Sequence, residues 1–225
     1  MPRPVRSSRP RPDAEPADST RRRIADAATI EFAAHGFDGA RIDAIARRAG
    51  VNKALLYYYF PNKAELYRRL LLEHIQAVAR TLEEARAQES SPAAALDRML
   101  HALMAALVAR PQTADFVLRE VLSGWEHLKD DDLRQLFRTS RPIAETVERG
   151  IAEGAFRPVE PLFVHLMSVA TLSFFIASRA ARARSGQAVG ETAMTPDSAD
   201  FVRFASSILT RGLAAAPPHS QGDPT

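Results

Sequence analysis

Residues 41–60 read RIDAIARRAGVNKALLYYYF, and this is the most informative stretch of the chain. Apolar residues recur at helical spacing on both sides of a glycine, which indicates two short helices joined by a tight turn. Such helices can cross steeply only where their contact is small, and Ala46 supplies a small side chain there. Gly50 permits the positive φ angle that the turn needs. The side chains expected to seal the inner side are Ile45, Val51 and Leu56. The pattern predicts a helix-turn-helix, whose second helix enters the major groove of DNA.

The rest of the chain also predicts helices. Gly36 is the residue expected just after the C-terminus of a first helix, and Asn62 with Glu65 forms a capping-box pattern at the start of a long fourth helix. Pro142 should kink or split the helix that contains it. The predicted helices cover residues 20–35, 42–48, 52–59, 62–88, 92–109, 112–128, 131–153, 160–184 and 197–214.

Composition and charge narrow the possible functions. The 225 residues are 46% hydrophobic and 25% charged and include no cysteine, which excludes disulfide scaffolds, thiolate metal sites and cysteine nucleophiles. Up to Lys63 there are twelve Lys and Arg against seven Asp and Glu, whereas the remainder has eighteen against twenty. The positive charge therefore lies at the N-terminal end, which favours a polyanionic partner such as nucleic acid.

The two ends of the chain and one apolar stretch indicate how the domains are arranged and where in the cell the protein is located. Residues 1–18 are rich in arginine and proline and predict a disordered arm, and residues 216–225 predict a disordered tail. The stretch from Pro161 to Ser178 is apolar but contains His165 and several hydroxyl residues, and it is shorter than the roughly 20 residues that cross a bilayer. Without a secretory signal, we expect a cytoplasmic protein with no membrane partner.

A family resemblance rests on the same stretch. The matching positions are Ile24, Ala27, Ala28, Phe32, Gly36, Phe37, Ile45, Ala46, Ala49, Gly50, Val51, residues 56–60, Asn62, Lys63 and Leu66, in register. In these positions the chain resembles the N-terminal domain of the tetracycline-repressor (TetR) family. The resemblance implies an all-α fold. A three-helix helix-turn-helix DNA-binding domain at residues 19–66 would be followed by a larger helical ligand-binding and dimerisation domain at residues 67–215.

The resemblance also implies which residues contact double-stranded DNA. Tyr57, Tyr59 and Lys63 align with the phosphate-contacting positions of the family. Base edges or the nearby backbone are expected to be contacted by Asn52, Lys53, Ala54, Leu55 and Tyr58. Arg41 replaces the Ser or Thr that often caps the second helix, which suggests one more phosphate contact at the expense of a weaker cap. The alternative for the tyrosines is ordinary packing, since tyrosine is amphipathic.

Two apolar stripes predict a dimer interface. The segment 160–184 has apolar residues on two sides, and a helix of this kind must bury both. By resemblance, this segment and the last helix would form a four-helix interface with a second copy of the chain. The interface residues expected from these stripes are Phe163, Val169, Phe174, Phe201, Phe204 and Ile208. The alternative is that both stripes are buried within one subunit.

The helices between the two predicted sites would enclose a cavity for a small-molecule effector. The residues expected to contact the effector are Met104, Phe116, Trp125, Phe137, Met167 and Phe175, with His101, His127 and His165 as possible polar anchors. Ordinary core packing is the alternative for each of them. No two histidines are three or four residues apart, so neither a metal site nor a cofactor is expected.

The sequence therefore predicts a homodimeric transcriptional repressor that a small molecule releases from its operator. Two alternatives stay open: a DNA-binding architectural or partner-recruiting factor without a ligand, and an all-α enzyme with a vestigial DNA-binding domain. A closed C-terminal core would favour the first, and convergent polar groups in a cavity the second. The chain has no glycine-rich phosphate loop, nucleophile elbow or His-Glu-x-x-His motif, so an enzyme is not expected.

Overall fold

The computed structural model describes residues 17–190 and 195–215, so the predicted arm up to residue 16 and the tail from residue 216 lie outside the described residues. Apart from one isolated bridge between Phe156 and Ala214, the regular structure of these two ranges is helical. The helices are α1 (Ala17–Gly39), α2 (Ile42–Ala49), α3 (Lys53–Tyr59), α4 (Lys63–Arg86), α5 (Pro92–Ala109), α6 (Pro111–Leu122), α7 (Asp130–Phe137), α8 (Arg141–Ala152), α9 (Pro161–Ala177), α10 (Arg179–Val189) and α11 (Ser198–Leu213).

Helix α1 differs at both ends from the sequence-based limits. It begins at Ala17, with Asp18 in the first turn, where the negative carboxylate interacts favourably with the positive end of the helix dipole. Gly36 has φ 70° and ψ −175°, which are not helical, so the first helical stretch ends there, as the sequence predicts. A short helical segment continues beyond this kink, and α1 as labelled therefore reaches Gly39.

Helices α1 to α4 pack around one apolar core. Its centre includes Ile24 and Phe32 of α1, Ile45 of α2 and Leu56 of α3, all fully buried. The same core includes Phe116 of α6 and Leu128 between α6 and α7. Helix α4 contributes Leu66, Leu70, Leu71 and Ile75 to this core and Leu82 and Ala85 to the next one. The chain is thus continuous helix across residues 66 and 67, where the sequence suggests a domain boundary.

The second core is built around α5, which packs against α4, α8, α9 and α11. Its buried side chains include Leu96, Met99, Leu103 and Leu107. In the described part of the chain, α5 alone is a single helix long and apolar enough to span a membrane, and α9 with α10 reaches that length only as a pair bent by 51°. The buried face of α5 is typical of the central helix of a helical core.

Three predicted helices are broken in the structure. The predicted helix 131–153 is split into α7, a 3₁₀ turn at Arg138–Ser140 and α8, with Pro142 in the first turn of α8, where a proline is tolerated. The predicted helix 160–184 is split at Ser178, and α10 then continues to Val189. The predicted helix 112–128 ends at Leu122, because Gly124 and Trp125 both have positive φ angles.

Candidate DNA-binding surface and effector cavity

The turn between α2 and α3 is built on Gly50. This glycine has φ 67° and ψ 33°, the left-handed conformation that the sequence predicts for it. The next amide, that of Val51, donates to the carbonyl oxygen of Ala46 at 3.0 Å and so ends α2. The Asn52 Oδ1 atom then accepts from the backbone N–H of Leu55 at 2.8 Å and caps α3. The Asn52 oxygen is therefore engaged, which leaves its NH₂ group for other contacts.

Helix α3 has one buried side chain and an exposed face. Leu56 is fully buried and anchors the helix, whereas Tyr58 is 79% exposed and Tyr57 is 43% exposed. Ala54 and Leu55 are exposed on the same helix, and Tyr59 is half-buried with its ring edge-on to Tyr58. A short helix that exposes two tyrosines, an alanine and a leucine at its surface is poorly explained by packing alone.

Lys53 is held by an ion pair at the start of α3. Its Nζ atom lies 2.7 Å from Oδ1 of Asp43 on α2, and both side chains are exposed. The hydrogen bond to Asp43 raises the pKa of Lys53, so the amine carries its charge at neutral pH. The ion pair joins α2 to α3, and Lys53 must exchange Asp43 for any contact with DNA.

Lys63 begins α4 close to the end of α1. Its Nζ atom donates to the carbonyl oxygen of Asp38 at 3.2 Å and lies 4.8 Å from the ring centroid of Phe37. Asn62 caps this helix, since its Oδ1 accepts from the N–H of Glu65 at 2.8 Å. Only half of the predicted capping box forms, because the Glu65 carboxylate turns toward Arg68 and Arg69. Hydrogen bonds from these arginines, chiefly Arg68, hold the pKa of Glu65 at about 2.

Arg41 stands in extended conformation before α2 and makes no side-chain cap. Its backbone N–H donates to Oε1 of Glu31 at 3.3 Å, which fixes the backbone while the side chain remains exposed. The predicted DNA-contacting residues thus lie on α3, immediately before α2 and α3, and at the first residue of α4.

Helices α9 and α11 expose large apolar side chains on the other domain. Phe174 is 68% exposed and Phe204 is 63% exposed, and Phe163 and Ile208 are exposed as well. The other two predicted interface residues, Val169 and Phe201, are partly buried against the second core. Phe201 stacks on Phe175 with ring centroids 3.9 Å apart. Four of the six residues therefore stand on the surface and two support it from within.

A cavity of about 190 Å³ lies between α4, α5, α6 and α9. Its lining comprises Ile75, Val78, Leu103, Leu107, Thr113, Ala114, Val117, Leu118, Val121, Trp125, Leu136, Thr139, His165, Leu166, Val169, Ala170 and Ser173. Of the six residues predicted to contact the effector, Trp125 lines this cavity. His165, a suggested polar anchor, lines it too. Sequence patterns do not single out Thr113, Thr139 or Ser173, because isolated hydroxyl residues in apolar helices carry no distinctive signal.

The other five predicted effector residues do not line this cavity: three are packed in the cores and two are exposed. Phe116 is fully buried against the rings of Phe32 and Tyr67 in the first core. Met104 is buried in the second core, and Phe175 is covered by Phe201. Phe137 and Met167 are exposed, with Met167 in a cleft between α9 and α11. Helical periodicity indicates an apolar face but not which side of the helix faces a cavity.

A polar cluster links α4, α6 and the turn after α6. Glu120 has no exposed surface and accepts hydrogen bonds from the Tyr67 hydroxyl at 2.9 Å and from the His127 backbone N–H at 3.0 Å. The His127 Nδ1 atom lies 3.0 Å from Oε2 of Glu120, the oxygen that also accepts from Tyr67. His127 therefore serves this cluster and does not line the cavity, and His101 is bonded on α5 to the carbonyl of Asp97. No sequence pattern indicates the role of Glu120, because its partner Tyr67 is 53 residues away.

Two further contacts connect α6 to α1. The Arg119 Nε atom donates to the carbonyl oxygen of Ala33 at 3.0 Å, near the kink of α1. On α4, the two ring nitrogens of His74 lie 3.2 Å from the hydroxyls of Thr113 and Thr29. The Thr29 hydroxyl already donates to Ala25, so it accepts from His74 Nε2, and Nδ1 accepts from Thr113. A hydrogen-bonded path therefore runs from the cavity wall to α1.

Comparison with known proteins decides the family. Residues 24–70 match the family profile described as bacterial regulatory proteins, tetR family, and residues 92–203 match the one described as tetracyclin repressor-like, C-terminal domain. The HTH-type transcriptional repressor NicS of Pseudomonas putida is 32% identical over 206 residues, which cover 89% of this chain and 95% of NicS. The chain belongs to the tetR family.

Solved structures agree with this tetR-family fold. A TetR family transcription regulator from Marinobacter aquaeolei superposes with a TM-score of 0.73 at 18% identity, covering 88% of this chain and 97% of that one. The regulator FadR from Bacillus subtilis, solved in complex with stearoyl-CoA, superposes with a TM-score of 0.64 at 16% identity, covering 85% and 98%. This tetR-family protein is a DNA-binding transcriptional regulator, and its relatives are regulators rather than enzymes.

Proposed function

We propose that this regulator represses transcription as a homodimer, and that a small molecule in the cavity releases it from its operator. The observation that carries the proposal is the presence of two exposed surfaces on one subunit. One is the face of α3 with Tyr57 and Tyr58, and the other is the apolar face of α9 and α11. The relative NicS is named a repressor, which supports repression as the outcome. Because the partner is bacterial DNA, we propose that the protein acts in the cytoplasm.

The α3 surface supplies the DNA contacts in this proposal. Tyr57, Tyr59, Lys63 and Arg41 would contact phosphates, since hydroxyl, ammonium and guanidinium groups donate to phosphate oxygens. Lys53, the NH₂ group of Asn52, and the side chains of Ala54, Leu55 and Tyr58 would face base edges or the adjoining backbone. Lys63 also stands where the free N–H groups of the α4 N-terminus favour an anion.

The α9 and α11 surface supplies the dimer contact. Phe204 and Ile208 of α11 line one cleft together with Met167 and Thr171 of α9, so the apolar faces of the two helices are continuous. A second copy related by a two-fold axis would cover both faces with the same residues. Dimerisation would place two α3 helices for half-sites about 34–36 Å apart, one turn of DNA.

The cavity supplies the switch. Its wall includes Val117 and Val121 of α6. The same helix bears Arg119, which contacts α1 of the DNA-binding domain, and Glu120, which contacts Tyr67 on the helix that continues into that domain. An effector that binds one position of α6 more tightly than another would shift α6 toward that position. Because α6 contacts α1, this shift would change the distance between the two α3 helices of the dimer. Such coupling is typically worth about 1–3 kcal/mol and is reciprocal, so DNA should weaken effector binding.

The experiment uses the full chain to select the DNA duplexes that it binds from a pool of random sequence. The affinity for the selected duplex is then measured at several salt concentrations. We expect a two-fold symmetric site. Lys63→Ala and Tyr57→Ala should both weaken binding to all sequences. The slope of log affinity against log salt concentration should fall by about one for Lys63→Ala, which removes a positive charge, and should stay nearly unchanged for the uncharged Tyr57. Lys129→Ala removes the same charge as Lys63→Ala from an exposed position before α7 and should leave both quantities unchanged. Wild-type affinity and slope in Lys63→Ala would refute the phosphate assignment.

A further inference from the structure

The wall of the cavity has an unusual electrostatic character. Apolar side chains make up most of it, and no lysine, arginine, aspartate, glutamate or tyrosine is among its described lining residues. His165 is the one titratable side chain there. An ion that enters this space loses its hydration without gaining a counter-charge, and such a transfer is strongly unfavourable. The cavity therefore selects against ligands that are charged at neutral pH.

Two of the polar wall groups are already occupied by the protein. The Thr113 hydroxyl donates to His74, and the Thr139 hydroxyl donates to the carbonyl oxygen of Leu136 at 2.6 Å. His165 differs, because its Nδ1 atom is buried and has no hydrogen-bond partner in the described chain. Buried polar atoms are nearly always paired in native proteins, and His165 lines the cavity, so a ligand there could supply a hydrogen-bond partner that the described chain does not.

His165 can serve a ligand as a neutral group. Burial lowers the pKa of His165, so the imidazole is uncharged at neutral pH. A neutral imidazole has one donor and one acceptor nitrogen, and either tautomer can pair with a hydroxyl, an amide or a carbonyl group. The site therefore matches one uncharged polar substituent.

The volume limits the size of the ligand. The cavity holds about 190 Å³, below the range of roughly 300–1,000 Å³ that is usual for drug-sized ligands. An apolar cavity of about 150 Å³ is known to accept benzene. The space therefore fits one six-membered ring with a small substituent. Val121 of α6 and Leu166 of α9 line the cavity and are also exposed, so its mouth is apolar as well.

We propose that the effector is an uncharged molecule of the size of one substituted six-membered ring, whose polar group hydrogen-bonds to His165. The inference rests on the proposed function, because it takes the cavity as the effector site. It predicts that long acyl chains and carboxylates bind this cavity poorly.

The experiment uses four probes of nearly equal size: benzyl alcohol, ethylbenzene, benzoate and benzylammonium. Trp125 lines the cavity and is the only tryptophan of the chain, so its fluorescence reports directly on occupancy of the full-length protein. Benzyl alcohol should bind best. Ethylbenzene lacks the hydrogen bond and should bind roughly tenfold more weakly. Either ion should bind on the order of a hundredfold more weakly because it loses hydration.

Variants identify the residue. His165→Leu should lower the affinity for benzyl alcohol roughly tenfold, whereas the affinity for ethylbenzene should stay the same or increase. His165→Gln, which keeps a donor and an acceptor, should restore part of the preference for benzyl alcohol and serves if the leucine variant folds poorly. His101→Leu makes the same change on the outer surface of α5 and should alter none of the affinities.

Three outcomes overturn the inference: tighter binding of an ion than of benzyl alcohol, no binding of any probe, or unchanged selectivity in both His165 variants. A separate readout, fluorescence anisotropy of labelled operator, tests the switch itself. If benzyl alcohol binds with the expected selectivity but DNA is never released, the proposed release mechanism fails while the ligand class stands. If DNA is released by an ion that quenches Trp125, the release mechanism stands and the ligand class fails.

Discussion

The hydroxyl of Tyr67 donates a hydrogen bond to the carboxylate of Glu120, 2.9 Å away, where α4 meets α6. Burial and the neighbouring carboxylate raise the pKa of Tyr67, so the phenol remains a donor at every physiological pH. Glu120 is fully buried and has His127 as its other neighbour. This pair therefore fixes α6 against the helix that continues into the DNA-binding domain.

Tyr67→Phe should destabilise the protein. The change removes one donor from a buried carboxylate, and a hydrogen bond to a charged group contributes about 1.5–3 kcal/mol. Urea unfolding at neutral pH measures the loss. Tyr58→Phe removes the same hydroxyl from a side chain that is 79% exposed and should leave stability unchanged. Equal stability of the two variants would mean that the Tyr67 bond contributes nothing.

Asp43→Asn should strengthen binding to non-specific duplex DNA. The substitution frees Lys53 from its ion pair and removes a negative charge next to the proposed DNA-contacting residues. Because both side chains are exposed, the gain should be modest, about two- to fivefold, with a steeper salt dependence. Anisotropy titrations at several salt concentrations test this. Asp131→Asn removes a charge from exposed α7 as a control, and weaker binding by Asp43→Asn would contradict the prediction.

Phe174→Glu should produce monomers. A carboxylate in the centre of an apolar contact loses hydration without a partner, which costs several kcal/mol when the dimer forms. Sedimentation at micromolar concentration should show the change. Val108→Glu alters an exposed apolar residue on α5 and should leave the dimer intact. A Phe174→Glu protein that sediments as a dimer would show that another face forms the interface.

His74 should make the protein sensitive to acid. Burial, together with Arg110, lowers the pKa of His74 to about 4 from an ordinary value of 6.5, although Asp26 opposes this. As the pH falls below 6.5, His74 becomes protonated in the unfolded chain but stays neutral in the folded chain. The free energy of unfolding therefore declines until about pH 4, where His74 is protonated in the folded chain as well. The total loss is of the order of 3 kcal/mol. His74→Gln should flatten the stability profile in this window, whereas His101→Gln, on an exposed side chain, should preserve it. Parallel profiles for all three proteins would refute the assignment.

Gly150→Ala and Gly212→Ala should have opposite effects. A Cβ atom on Gly150 would lie 2.1 Å from Cδ2 of the buried Phe156 ring, so the ring must move, at a cost of about 1–3 kcal/mol. Gly212 lies in α11 with nothing within 4 Å of its Cβ position, and alanine there should add up to about 1 kcal/mol through helix propensity. Thermal melts of the two variants compare them directly. A tolerated alanine at position 150 would show that Phe156 has room to shift.

The sequence is most informative where structure is determined locally. Gly50 and Asn62 adopt the predicted turn and cap because each acts on amides within a few residues. The limits of α6 are not predictable in this way, because they depend on a positive φ angle at Trp125, which tryptophan does not favour.

The cavity is only partly predictable for a related reason. Periodicity identifies Phe116 and Trp125 as equally apolar, but Phe116 is held by the rings of Phe32 and Tyr67 from distant helices. Which apolar residue faces empty space depends on packing between elements, which no local pattern specifies. His165 can be named from the sequence as a polar residue in an apolar helix, but its unpaired Nδ1 is visible only in the structure.

The single titratable side chain in the cavity wall has an evolutionary consequence. A histidine codon is one nucleotide away from codons for leucine, arginine, aspartate, asparagine and glutamine. One point mutation at position 165 would therefore exchange the one titratable group among the described residues of the wall for an apolar, cationic, anionic or amide one, while the face of α3 stays as it is. Under the proposed function, a gene with this arrangement can acquire a new effector without acquiring new target sites on DNA, and the same codon is the natural starting point for building a sensor.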